Sequence, residues 1–383
     1  MPWMPIFVLP NIDVAAPIEA GPAALAPMSD ARVSALARRH KRFESFLNRF
    51  TDSFGVEISP AVMLLRSDAP VEFRGIDAIA SFRDLIAIVA VSYNRALEIK
   101  RPYGHRIHFA NAFEFYPWMI DKYYKDLVGN TPAFLGLHEV RKFRGQSSAA
   151  LPRMRLDATS IEEALVTELL GRWRRRYQSA NPSWPDVALF RSLNMAHHAS
   201  MLPAGTDTTI YDVGRLISLW VSAFEILIHP GGNGQANRDK VFDLLDRTPW
   251  QLKGCSDRQL ETGGKTKIKR TLASWLYQHV YECRCAFLHG NPVDPSDLLL
   301  PVSRRNVFQY AAPLYRMALV SFLPLAFTRK APPISKAKAF GAYVAARMSF
   351  REPQRAIEEA LLTAIQPPSS GASTRVSSGR MGP

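Results

Sequence analysis

Apolar residues recur at helical spacing along much of the chain, most clearly beyond residue 160. Between Ile210 and Ile228, Leu216, Leu219, Trp220, Ala223, Phe224 and Leu227 form one broad stripe, the pattern of a helix buried on more than one side. The same periodicity predicts helices from Ser160 to Tyr177, Trp184 to Met201, Lys240 to Leu245, Lys265 or Thr266 to His289, and Arg305 to Ala326. Pro313 falls inside the last of these and is expected to kink it. Two amphipathic segments follow, Lys336 to Met348 and Glu352 to Ile365.

The pattern differs before residue 155. Asp30 suits the cap of a helix from Ala31 to Phe50, and a second helical stretch runs from Ala78 to Leu97. Between them, Ala61–Arg66 and Val71–Arg74 have strand character around a Ser-Asp-Ala-Pro turn, which predicts a hairpin. Arg106–Phe109 and Ala112–Tyr116 are further strand candidates. The fold class expected is mainly α: a helical bundle over residues 156–366 behind a mixed α/β region over 31–155. Residues 1–30, rich in Pro and Ala, are expected to be flexible, and the Pro/Ser/Gly tail from 367 to 383 disordered.

Composition narrows the function classes. With 383 residues and 47% hydrophobic positions the chain can bury one large core or two. Its net charge of +14 favours contact with polyanions, although arginine-rich genomes give basic proteins of many functions. The basic residues are scattered. One run, Arg172 with Arg174, Arg175 and Arg176, suits nucleic-acid contact and equally suits the negative end of a helix dipole. Three cysteines are too few for a disulfide scaffold, and Cys283 and Cys285, one residue apart, form neither a redox pair nor a zinc half-site. His105 with His108, and His197 with His198, lack a third ligand at useful spacing, so no metal or cofactor is expected. The glycines of 230–234 lack the spacing of a phosphate-binding loop and read as a mobile turn. The aromatic set Phe113, Phe115, Tyr116, Trp118, Tyr123 and Tyr124 suits base stacking or ordinary packing. With no long apolar span and no signal-like leader, a soluble cytoplasmic protein with no membrane partner is expected.

One stretch carries candidate chemistry, Tyr281-Glu-Cys-Arg284-Cys285-Ala-Phe-Leu-His289-Gly290-Asn291-Pro292. It puts a permanent cation and an imidazole near the end of an apolar helix. Arg holds a phosphate through its fork of donors, and His moves a proton near neutral pH. Glu225, on an otherwise apolar helix face, requires a partner, and an ion pair with Arg284 is the expected one.

Residues from about Ile210 to Phe327 resemble the HEPN superfamily, in particular its Apea-like group. The helix Leu219-Trp220-Val-Ser-Ala-Phe-Glu225-Ile-Leu227 is similar to the family's aromatic, hydrophobic and Glu pattern. Arg284 to His289, followed by Gly290, is similar to its Arg-(four to six residues)-His signature. Arg304 and Arg305 fall where the family's next helix is expected to begin. The resemblance implies a helical bundle that dimerises so that two Arg–His pairs share one cleft. In many members that cleft is a metal-independent ribonuclease of defence or toxin systems. It thus implies Arg284 and His289 as catalytic, Glu225, Cys285 and Asn291 as supporting, and the arginines at 172, 174–176, 304 and 305 as candidates for binding RNA. An operon-encoded regulatory protein is a further expected partner. Cys285 departs from the Asn, Asp or His usual after the signature Arg, and a thiol is a weaker donor and acceptor than these. A non-catalytic dimerisation or RNA-binding module, and a ligand-sensing component of a defence system, are therefore the alternatives.

Overall fold

The computed structural model describes residues 2–10, 12–48, 50, 56–100, 161–201, 209–262, 267–327 and 330–368, with the backbone of four short strands between 119 and 135. Residues 3–26 differ from the flexible segment expected of them. β1 (Trp3–Leu9), β2 (Ile18–Glu19) and β3 (Ala23–Ala26) join β4 (Ala61–Arg66) in an antiparallel sheet of order β1-β4-β3-β2. The prolines and alanines that suggested disorder fit this sheet. Pro5 stands on an edge strand at a register shift, where its missing N–H breaks no ladder, and Ala23–Ala26 is fully buried. Period-two alternation divides the faces of β4. Val62 and Leu64 meet α1 (Ala31–Arg39) and α2 (Lys41–Leu47), while Ala61, Met63 and Leu65 enter the main core.

Three more local expectations change. The helix expected over 31–50 is two helices, because His40 adopts an extended conformation between them. Val71–Arg74 is a single 3-10 turn following Pro70 and not a hairpin strand. It leads into α3 (Ile76–Lys100), which is apolar nearly all round and lies in the middle of the helical body. Of the strands further on, β5 (Met119–Ile120) pairs with β6 (Leu127–Val128) and β7 (Asn130–Thr131) with β8 (Phe134–Leu135). The strand candidates at 106–116, the histidines at 105 and 108 and the 113–124 aromatic set lie outside the described residues.

The C-terminal region is mainly helical, with α4 (Glu163–Gln178), α5 (Trp184–Ser200), α6 (Ile210–Leu227), α7 (Arg238–Leu245) and the short α8 (Lys253–Ser256). A hairpin of β9 (Leu260–Thr262) and β10 (Ile268–Arg270) then occupies the residues read as the first turn of a helix from 265. The helix, α9, begins only at Leu272 and ends at Leu288. The cations of 267–270 would have opposed the dipole of a helix starting there. After α9, a 3-10 turn at Val307–Tyr310 feeds α10 (Ala311–Phe322). Pro313 thus sits in the first turn of α10, where its missing N–H costs nothing, and not in a helix interior as expected. The two segments expected after 336 are one helix, α11 (Ala337–Leu362), which continues through Pro353.

The main core is continuous from the sheet to the last helix. α3 packs on α4, α5, α10 and α11, and Trp173 of α4 donates from Nε1 to the Ala78 carbonyl at 2.9 Å. α6 and α9 run antiparallel, with Phe224 against Tyr277 at one level and Gly214 against Phe287 at the other. A Cβ on Gly214 would fall 2.5 Å from the Phe287 ring, so glycine permits this close approach. No helix among the described residues is long and apolar enough to cross a membrane.

Candidate functional site

α9 carries the candidate site on one stripe. Tyr277, Tyr281 and Arg284 stand at positions i, i+4 and i+7, which fall above one another on a helix. Arg284 leans back along the helix, its guanidinium carbon 5.8 Å from the Tyr281 ring centre. Its Nη1 lies 3.9 Å from Oε1 of Glu225 on α6, the outer limit of an ion pair. Both side chains are roughly a quarter exposed, at 24% and 22%. Burial raises the Glu225 carboxyl above its ordinary value, and the Arg284 charge opposes that shift.

Helix α9 closes through residues Ala286 to Asn291. Gly290 has φ of +68°, its N–H bonds the Phe287 carbonyl at 3.4 Å, and the Asn291 N–H bonds the Ala286 carbonyl at 3.2 Å. This pair of bonds is a Schellman closure, so glycine and the residue after it act here through their backbone. His289 is the C-cap residue and is exposed, as is Asn291. Five residues on a helix turn a side chain by about 140°. Arg284 and His289 accordingly point to different sides of α9, and among the described residues no hydrogen bond joins them.

The other sequence-derived residues divide into bound and free. Arg172 bonds Glu168 at 3.0 Å and Asp186 at 3.1 Å, tying α4 to α5, and Arg175 lies 3.7 Å from Asp186. Arg174 lies beside Gly21 of the sheet, and Arg176 covers the Tyr177 ring at 5.0 Å. Arg305 donates to the Ile99 carbonyl at 2.8 Å and so caps the end of α3, while Arg304 is exposed in the left-handed region at φ +55°. These arginines therefore stand on α4 and before α10, not on the α6–α9 pair with Arg284. The thiols are poor nucleophile candidates. Burial lifts Cys283 to about 11 and Cys255 to about 12. Cys285 is half-buried beside Tyr281. Asp212 closes a capping box with Thr209 at the start of α6. Among the described residues no group of three or more His, Cys, Asp and Glu comes together as a metal site requires.

Two residues join the site that sequence reasoning did not single out. Arg238, at the start of α7, places its guanidinium carbon 5.6 Å from the Tyr281 ring centre and 5.5 Å from that of Phe242. Tyr277 is fully buried, and its hydroxyl has no hydrogen-bond partner among the described residues. The Nε atoms of Arg238 and Arg284 are likewise buried without an acceptor. Burial, reinforced by the Glu225 charge, holds the Tyr277 hydroxyl well above its ordinary value, so it stays a donor. In the sequence neither Tyr277 nor Arg238 stands in a motif.

No protein-family model, no curated protein and no solved structure matches this chain.

Proposed function

We propose that the chain acts on RNA as a HEPN-type endoribonuclease whose Arg284 and His289 form a working centre only when two copies pair. The observation that carries this reading is an Arg284 with an unmatched buried Nε, next to a helix end that leaves His289 open to solvent. Within one chain the two side chains diverge, so a phosphodiester is held between an arginine and histidines supplied across a two-fold axis. One His289 takes the proton of a ribose 2′-hydroxyl as its oxygen attacks phosphorus. The other gives a proton to the departing 5′-oxygen, leaving a 2′,3′-cyclic phosphate. Arg284 stabilises the charge that gathers on the phosphoryl oxygens. The nucleophile belongs to the substrate, so the chain's own residues suffice for each proton transfer. This site uses the chain as a homodimer, and its expected setting is a defence or toxin system.

Purified protein incubated with single-stranded RNA and EDTA tests this. Cleavage with cyclic-phosphate ends is expected, with DNA left intact and activity lost in Arg284→Ala and His289→Ala. Cleavage that survives both substitutions, or that EDTA abolishes, overturns the mechanism. A second reading, RNA binding without cleavage, is favoured by the contact between Arg284 and Glu225 and by Cys285 beside the arginine. It predicts RNA retention by a chain that cuts nothing.

A further inference from the structure

The Tyr277 hydroxyl is an unusual thing to keep in a protein interior. A buried hydroxyl without a partner carries its desolvation cost uncompensated, and phenylalanine would fill the same space without it. The two nearest arginines show the same incompleteness, each with a buried Nε that has no acceptor. All three groups are donors, and they come from two helices around one aromatic ring, Tyr281. The outer ends of both guanidinium groups remain reachable. The Arg238 side chain is 33% exposed, and its carboxylate neighbour Asp239 is 3.8 Å away and mostly in solvent. Among the described residues, Glu225 is the carboxylate that approaches Arg284, and like Asp239 at the Arg238 Nε it stands at the limit of ion-pair distance. Three neighbouring donors with two loosely held acceptors are the inverse of a satisfied structural network.

We propose that Arg238, Tyr277 and Arg284 together form a binding site for a phosphoryl group, with Glu225 as the internal acceptor that the phosphate displaces from Arg284. A tetrahedral phosphate offers several acceptor oxygens at once, which matches two guanidinium forks and a hydroxyl donor better than a planar carboxylate does. Tyr277 and Arg238 are then specificity residues for the anion, and Tyr281 is the platform that fixes both guanidinium groups by cation–π contact. That the phosphate is part of an RNA strand rests on the reading proposed above. The site itself does not depend on cleavage, because neither Arg238 nor Tyr277 moves a proton in the reaction proposed above.

The experiment measures binding of a fluorescent 2′-O-methyl oligoribonucleotide, which cannot be cut, to the full chain by anisotropy, with melting of each variant followed in parallel. Tyr277→Phe and Arg238→Gln are expected to weaken it about tenfold or more, the loss of one hydrogen bond to a charged group. Glu225→Gln is expected to tighten it. Tyr277→Phe is expected to melt no lower than wild type, because it removes a hydroxyl that nothing satisfied, so its binding defect is not a folding defect. Equal affinities for wild type, Tyr277→Phe and Arg238→Gln overturn the inference and leave the RNA reading standing. If the oligonucleotide does not bind, inorganic phosphate that raises the melting temperature of wild type but not of Tyr277→Phe sustains the site and removes RNA as its source. A wild type that responds to neither overturns the site.

Discussion

Arg316 and Arg284 each face a glutamate from another part of the chain, and their surroundings treat them in opposite ways. Arg316 of α10 is 1% exposed and its partner Glu162, at the start of α4, 2%. Its Nε bonds Glu162 at 2.9 Å, its Nη1 bonds Gln354 of α11, and Gln354 bonds Glu358 at 2.6 Å. Glu358 also accepts from the backbone N–H groups of Gln251 and Leu252, at 2.9 and 2.6 Å. The network joins α4, α10, α11 and the segment after α7, and its charged atoms are matched. Around Arg284 the charges are fewer, about a quarter exposed and incompletely matched, with donors to spare. Satisfaction, more than residue type, separates these two arginine–glutamate pairs.

The widest gap between the two centres is expected in stability. Arg316→Ala leaves Glu162 buried without its counter-charge and is expected to cost about 3–5 kcal/mol in urea denaturation. Arg284→Ala is expected to cost less than about 1 kcal/mol, since a partly exposed pair 3.9 Å apart contributes little, while abolishing RNA cleavage. Similar stability losses in the two variants would break the comparison. Gly214→Ala tests a position between packing and function. The new methyl must displace the Phe287 ring, an overpacking cost of about 1–3 kcal/mol, and tilt the end of α9 that carries His289. Cleavage is expected to fall more than RNA binding, and a variant that retains full cleavage would show that the helix end tolerates the shift.

The smallest effect is a pH dependence. Glu225 has a carboxyl raised above 4.5, so the folded chain holds its proton more tightly than the unfolded chain does. Its contribution is present below the unfolded value and is lost as pH rises through the folded one. Wild type is therefore expected to lose denaturation midpoint relative to Glu225→Gln on going from about pH 4 to pH 8. A difference that grows in the opposite direction would mean that Arg284 outweighs burial at this carboxylate.

The sequence made some of these features legible and hid others for physical reasons. α6 stood out because its broad apolar stripe and its end before Pro230 and the following glycines agree with each other, and α5 was legible from helical periodicity. The closure of α9 was visible in Gly290 and Pro292. The N-terminal sheet was hidden because β1 and β3 use Pro5 and alanines, whose burial depends on β4 arriving from far along the chain. Val71–Arg74 alternates like a strand, but Pro70 presets a turn and the segment never finds a pairing partner. At the site, Arg284 and His289 were found through spacing. Tyr277 escaped because periodicity records that a side chain points inward and says nothing about whether its hydroxyl finds a partner there.

The strand order bears on how the chain is made. β1 leaves the ribosome before its ladder partner β4, which begins at Ala61, about fifty residues after Leu9. At roughly 5–20 residues per second, the interval is on the order of 3–10 s. Through it Phe7, Val8 and Leu9, all buried in the finished sheet, have no strand to pair with. β2 and β3 can close on each other in that time, yet β3 also waits for β4. A nascent chain stalled before residue 61 thus presents two open strand edges, a natural target for a holding chaperone and for association with another stalled chain.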